Sequence, residues 1–242
     1  MVAAMEKALA RQIEKGKLTE AERDSALALV RATSDLGELG GCDLVIESVV
    51  EDLSVKKHLF TELDRLCVDH AIIATNTSTL PVVEMAMETG RPEKVCGIHF
   101  FNPAPVMPLV EIVRPLTASD ETIAAASSFA EACGKTPVEV KDRAGFVVNA
   151  LLFPYLNDAV RLLETQVASL EGIDTAMTGG CGFPMGPFAL LDLVGLDTTV
   201  AILDALYDEF RDPRYAAAPL LRRMVAAELL GRKSGKGFYD YH

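Results

Sequence analysis

Between residues 43 and 141 the chain alternates short apolar, β-branched runs with stretches of helical periodicity, and beyond Gly145 the β-type runs stop. D-L-V-I-E-S-V-V at 43 to 50, A-I-I-A-T at 71 to 75, V-C-G-I-H-F-F at 95 to 101, L-V-E-I-V at 109 to 113 and T-P-V-E-V at 136 to 140 each have the length and composition of a buried strand. The intervening segments read as helices: Val55, Leu59, Leu63 and Leu66 recur at helical spacing behind a candidate cap at Ser54, a second helix starts from Pro81, and a third is opened by Ser119 and closed by Gly134. This alternation predicts an α/β fold, a Rossmann-type doubly wound sheet. Two helices split at Gly16, the second capped by Thr19, and a short strand near 32 to 36 are predicted ahead of it. The helical pattern in A-L-L-F-P-Y-L-N-D-A-V-R-L-L and T-T-V-A-I-L-D-A-L-Y-D-E-F predicts an all-α second part, which places a domain boundary between residues 142 and 143.

Half of the 242 residues are hydrophobic and 24% are charged, a balance that implies a packed core and excludes a disordered chain. Lys and Arg total 23 against 35 Asp and Glu, and a net charge of -12 repels polyanions, so nucleic acid is excluded as a partner. Cys42, Cys67, Cys96, Cys133 and Cys181 lie far apart, with no C-x-x-C and no metal-like histidine spacing, so we expect free thiols in a reducing cytoplasm and no metal site. The longest apolar runs, 44 to 50 and 146 to 155, fall short of the roughly 18 residues of a membrane span, and the N-terminus has no apolar signal core.

Chemistry concentrates in G-I-H-F-F-N-P-A-P-V-M-P-L-V-E-I, which puts His99 near the end of one strand and Glu111 in the next. Ligands sit at strand ends in such sheets. Histidine takes and returns a proton near neutral pH, and a carboxylate partner fixes its tautomer and stabilises the imidazolium. On spacing alone, the pattern favours a structural histidine over a catalytic one.

The motifs N-T-S-T at 76 to 79, G-I-H-F-F-N-P at 97 to 103, D-R-A-G-F-V-V-N at 142 to 149, P-M-G-P-F-A-L-L-D-L-V-G-L-D-T at 184 to 198 and G-R-K-S-G-K-G-F-Y at 231 to 239 occur together. In them the chain resembles the NAD-dependent 3-hydroxyacyl-CoA dehydrogenases, and most closely the stand-alone 3-hydroxybutyryl-CoA dehydrogenases. The resemblance implies an oxidoreductase that interconverts a 3-hydroxyacyl-CoA and a 3-oxoacyl-CoA with NAD, or alternatively NADP. It implies that His99 is the base and Glu111 its partner, that Ser78 hydrogen-bonds the reacting oxygen, and that Asn149 helps hold the substrate. Glu51, Lys56, Asn76, Ser78 and Asn102 match positions that contact NAD, and the helical part matches the family's homodimerisation domain. Each residue also has a plainer reading: Ser78 or Asn149 as a helix cap, Lys56 as a solvated helix charge. Lys56 or Lys57 is the expected local cation for a coenzyme A phosphate. The G-R-K-S-G-K-G run lacks the order of a phosphate loop and is read as a structural turn.

Family members begin with a strand, a G-x-G-x-x-G turn, a helix and a second strand, and the chain contains no such motif. The resemblance therefore implies that about forty residues of the dinucleotide domain are missing. In the order 3-2-1-4-5-6 the strand near 32 to 36 would stand across a gap of about 14 Å from the strand at 43. We expect such a sheet to be unstable alone and the chain to be inactive as written, through a start assigned too late, a fragment, or a relic serving as a non-enzymatic assembly module.

Overall fold

The computed structural model describes residues 2–241, with side chains from Met5 onward. Helices α1 (Val2–Glu14) and α2 (Glu20–Ala28) come first. Thr19 caps α2 in a complete capping box, its hydroxyl accepting from Glu22 N–H while the Glu22 carboxylate takes the Thr19 N–H. The sheet follows as β1 (Leu44–Glu47), α3 (Leu53–Leu66), β2 (Ile72–Thr75), α4 (Val82–Ala86), β3 (Val95–Phe100), β4 (Leu109–Arg114), α5 (Asp120–Ala132) and β5 (Thr136–Lys141). Then come α6 (Val148–Glu164), α7 (Leu170–Cys181), α8 (Pro187–Val194), α9 (Leu196–Phe210) and α10 (Pro219–Ala226).

The five strands lie in the order β1-β2-β3-β4-β5. All neighbours are parallel except β3 and β4, which are antiparallel with His99 directly opposite Glu111. That reversal decides where the helices go. Right-handed crossovers put α3 and α4 on one face, and because β4 runs the other way the same handedness puts α5 on the opposite face. Two cores result. Val45, Ile73, Val95, Val113 and Val140 pack with Phe60, Leu63, Val82 and Met85 on one side, and Ala74, Cys96, Ile98, Val110 and Ile112 pack with Ile123, Ala126 and Ala130 on the other. A third core, centred on Phe153, Leu156, Phe188, Leu191, Leu203, Leu206 and Leu221, belongs to the helices after residue 144.

Two expectations are corrected. The segment 32 to 36 forms no strand; it is irregular and runs into a short 3-10 helix, Leu36–Gly41, whose start is capped by the Asp35 carboxylate accepting from Gly37 N–H. The sheet is accordingly continuous, with β1 at its edge, and no gap separates its strands. Helix α3 is capped by Asp52, whose carboxylate accepts from Val55 N–H at 3.0 Å, and Ser54 instead donates its hydroxyl to that carboxylate. A carboxylate at a helix N-terminus is the stronger acceptor.

The C-terminal glycine run is a structural turn. Asp192 of α8, 1% exposed, accepts from Phe238 N–H, Tyr239 N–H and the Tyr241 hydroxyl. Gly237 has no space for a side chain, since a Cβ there would lie 2.0 Å from the Asp192 carboxylate. Replacing Asp192 with asparagine turns one acceptor oxygen into a donor facing donors, so we expect D192N to lose about 1–3 kcal/mol. The measurement is thermal unfolding, where the midpoint should fall by several degrees, by about 2–4 °C per kcal/mol for a chain of this size; an unchanged midpoint would contradict it.

Candidate active site

Because β3 and β4 are antiparallel, His99 and Glu111 are cross-strand neighbours whose side chains rise on the α3/α4 face of the sheet. His99 Nδ1 lies 2.8 Å from Glu111 Oε2, and both residues are buried, at 4% and 1% exposure. The second oxygen of Glu111 accepts from Val147 and Val148 N–H, at 3.1 and 3.0 Å, at the start of α6. The carboxylate thus acts as a cap from 36 positions away and occupies the positive end of the helix dipole. With Nδ1 turned to the carboxylate, Nε2 is left facing the Ser78 hydroxyl at 3.2 Å. The rings of Phe101 and Phe146 flank the imidazole with centroids at 4.6 and 5.5 Å.

The 76–80 loop that carries Ser78 is fixed by Glu51, whose Oε1 accepts from the Thr77 hydroxyl at 2.6 Å and from Ser78 N–H at 2.9 Å. Asn76 accepts from Phe100 N–H through its Oδ1 at 2.8 Å, which ties the end of β2 to the end of β3. Neither Ser78 nor Asn149 is the helix cap that local sequence allowed. The N–H groups of Val82 and Val83 that open α4 go to Asp142, and those that open α6 go to Glu111. Burial holds the Asp142 carboxyl above its ordinary range against the opposing pull of those two N–H groups. Asn149 is buried one residue beyond Val148, on the first turn of α6. Asn102 is exposed and joined to Pro103 by a cis peptide, in a loop pinned by Lys135 Nζ to the carbonyls of Ala104 and Met107.

Lys56 is not a solvated charge. It is 1% exposed, its ammonium 2.7 Å from Glu47 and 3.3 Å from Glu51. Lys57 is taken up by Glu84 and Glu88 at 3.4 and 2.9 Å. Both lysines are thus paired with carboxylates; for buried Lys56 the expectation that it serves a coenzyme A phosphate is corrected, while Lys57 keeps a third of its side chain exposed. Sequence reasoning also missed Glu47, which is buried on β1 and reads in the sequence as an interruption of an apolar strand.

A cleft of 530 Å³ opens beside Ser78, lined on one side by Glu51, Ser78, Thr79 and Leu80 and on the other by Asp197, Thr198, Ala201, Ile202 and Ala205 from α9. It lies at the C-terminal ends of β1 and β2, where open α/β sheets place their ligands. The half-exposed Glu51 carboxylate and the Ser78 hydroxyl supply the polar groups of its sheet-side wall. No group of three or more potential metal ligands occurs among the described residues, and no helix there is long and apolar enough to cross a membrane.

Comparison with known proteins gives this geometry its family. Residues 1–143 match the model of the 3-hydroxyacyl-CoA dehydrogenase NAD binding domain, and residues 145–241 match that of the 3-hydroxyacyl-CoA dehydrogenase C-terminal domain. The 3-hydroxybutyryl-CoA dehydrogenase of Mycobacterium tuberculosis is 50% identical over 97% of the chain and 83% of its own length. That of Clostridioides difficile is 46% identical over all of the chain and 86% of its own length. The crystal structure of (S)-3-hydroxybutyryl-CoA dehydrogenase from Ralstonia eutropha superposes with a TM-score of 0.97 at 44% identity, over all of this chain and 85% of that one.

The chain therefore belongs to the 3-hydroxyacyl-CoA dehydrogenase family, is an NAD-dependent oxidoreductase, and has that family's Rossmann-like sheet followed by a helical C-terminal part. The match to the NAD-binding domain starts at residue 1, so the expectation of a missing first part draws no support from it, and neither does the expected inactivity. The reading as a non-enzymatic module is not favoured. NAD, when bound, is the hydride acceptor. The cleft at the strand ends, with a carboxylate and a hydroxyl in its wall next to the imidazole, fits the reacting end of such a cofactor.

Cysteine chemistry is excluded at this site by burial. Cys96 is on β3 but in the opposite core, 0% exposed, and desolvation pushes its thiol up to about 12. Cys133 and Cys181 are exposed. At about pH 8 a bulky maleimide should label Cys133 and Cys181 of the native protein quickly and Cys96 only as the protein unfolds. Mass spectrometry of the labelled peptides reads this directly, and fast labelling of Cys96 would contradict its placement.

Proposed function

We propose that the chain oxidises a (3S)-3-hydroxyacyl-CoA, with 3-hydroxybutyryl-CoA as the substrate, to the 3-oxoacyl-CoA and runs the reverse reduction at the same site. The observation that carries this reading is the Ser78–His99–Glu111 relay at the edge of the cleft. Its chemistry follows from the atoms in place. Glu111 holds His99 with its proton on Nδ1, so Nε2 is the free base. Nε2 takes the proton of the 3-hydroxyl as the hydride leaves C3, and the imidazolium formed is stabilised by the buried carboxylate 2.8 Å away. In the reductive direction the same nitrogen returns the proton to the oxygen. The Ser78 hydroxyl, already at Nε2, is placed to hydrogen-bond the reacting oxygen, and Asn149 to help fix the acyl group. Glu51, Asn76, Ser78 and Asn102 are the residues we assign to the cofactor; Lys56 reaches it through Glu51, given where its ammonium lies.

Two further parts of this reading rest on the same family. We place the division between cofactor and helical domains at residues 142 and 143, in the linker before α6. We also infer a homodimer built through the helical domain, supported by Leu151, Leu162 and Leu193, large apolar side chains of that domain left 73%, 45% and 50% exposed. The substrate assignment is supported by the two curated relatives that carry that name at 46–50% identity.

His99→Gln tests the assignment. It removes the base while keeping the size and polarity of the site, so kcat for NADH formation from (S)-3-hydroxybutyryl-CoA should fall by about 10²–10⁴ while KM changes much less. Glu111→Gln should also lower kcat, with the fold retained in circular dichroism. Turnover by H99Q equal to that of the wild type would overturn the mechanism.

A further inference from the structure

Among the described residues, Glu47 is the one buried carboxylate near the site to which the mechanism gives no part. Its side chain is fully buried, and it lies on β1 in a row of the sheet that runs Glu47, Thr75, Gly97 across β1, β2 and β3. Next along β3 on the same face stands His99. Burial of an unpaired carboxylate is strongly unfavourable, so what Glu47 is bonded to defines what it is for. Its Oε1 takes the Lys56 ammonium at 2.7 Å and the Val49 N–H at 2.5 Å, and its Oε2 takes the Thr75 hydroxyl at 2.8 Å.

Both side-chain partners lead to the same loop. Thr75 Oγ1 accepts from Thr77 N–H at 3.2 Å, and Lys56 lies 3.3 Å from Glu51, whose other oxygen holds the Thr77 hydroxyl and Ser78 N–H. Residues 75 to 78 are thus gripped from beneath by two arms that both start at Glu47 and close again on Thr77, and the loop's outer end is Ser78, whose hydroxyl is 3.2 Å from His99 Nε2. Gly97 completes the row. A Cβ there would come within 2.7 Å of Val113 Cβ, so the row carries no side chain between Thr75 and the β4 strand.

We propose that Glu47 is a positioning residue for proton transfer, setting the Ser78 hydroxyl against His99 Nε2 through the Thr75 and the Lys56–Glu51 arms. The proposal rests on the dehydrogenase reading of the same site. It makes a specific claim about coupling: Glu47 matters to the reaction because of Ser78. A buried ion pair that served only to hold the sheet together would affect the reaction independently of Ser78.

A double-mutant cycle on kcat distinguishes the two. Glu47→Gln keeps shape but removes the charge that holds Lys56, so the ammonium is left to Glu51, whose grip on Ser78 N–H loosens. We expect E47Q and S78A each to lower kcat by about tenfold or more, with KM for 3-hydroxybutyryl-CoA moved far less. The double variant E47Q/S78A should be no slower than the slower single variant within about twofold. Thr75→Val, which cuts the other arm and leaves every charge in place, gives a second cycle with S78A should E47Q not fold, and the same non-additivity is expected. Multiplicative losses in these cycles, or E47Q and T75V turning over at the wild-type rate, would overturn the positioning role. A wild-type chain without 3-hydroxyacyl-CoA dehydrogenase activity would overturn the reading beneath it, an outcome seen before any variant is made.

Discussion

The two oxygens of Glu111 serve two different parts of the molecule, and most of the site follows from that. Oε2 orients the imidazole of His99, and Oε1 closes the open N-terminus of α6 through Val147 and Val148. A carboxylate 1% exposed needs both sets of donors, because an ion that deep is stabilised only when its lone pairs are satisfied. The orientation of the base and the docking of the helical part on the sheet are therefore one constraint. If α6 withdrew, Glu111 would lose its cap, and the histidine would lose the partner that keeps Nε2 free.

The same device recurs at other helices that begin without a local cap. Pro81, Val147 and Gly186 stand at the N-cap positions of α4, α6 and α8 and offer no side-chain cap hydrogen bond. In each case a distant carboxylate takes the first N–H groups: Asp142 for α4, Glu111 for α6 and Asp174 for α8, the last accepting from Phe188 and Ala189 and also from the Tyr239 hydroxyl. Glu209 does similar work at the linker, accepting from Ala144 N–H while pairing with Arg143. Part of the excess of acidic residues is thus structural, turned inward to bind helix ends and linkers and so to fix how distant segments meet.

This explains which parts of the molecule could be read in advance. The strands from residue 44 onward and helices α2 and α5 announce themselves locally, through apolar period and through caps such as Thr19 and Ser119 a few residues from the N–H groups they bind. His99, Glu111 and Ser78 were found by motif, yet their spacing became informative only once β3 and β4 proved antiparallel, which turns twelve residues of separation into direct opposition. The segment at 32 to 36 has strand composition, yet it pairs with no strand and the Asp35 cap turns it into a 3-10 helix, so local capping overruled propensity. Lys56 and Glu47 were illegible for a related reason. A lysine on a helix and a glutamate in a short strand each look solvated or misplaced until the β1–α3 crossover brings their charges together in the dark of the core.

The turn from β5 into α6 shows how far the backbone bends to deliver those N–H groups. Gly145 and Phe146 are both left-handed, at φ 73° and 45°, and for a phenylalanine that conformation costs on the order of 1 kcal/mol. A glycine at 146 would avoid the strain, but it would remove the ring that stands 5.5 Å from the His99 imidazole and closes its buried side. Two successive left-handed residues also swing the chain so that the next N–H groups, those of Val147 and Val148, point together at Glu111. Strain at Phe146 is thus held in place by what surrounds it: the ring in the sheet-side core ahead of the turn and the carboxylate beyond it. Relieving the strain would shift at least one of the two contacts that keep the base dry on one side and oriented on the other, which is why a residue so unsuited to the conformation is useful there.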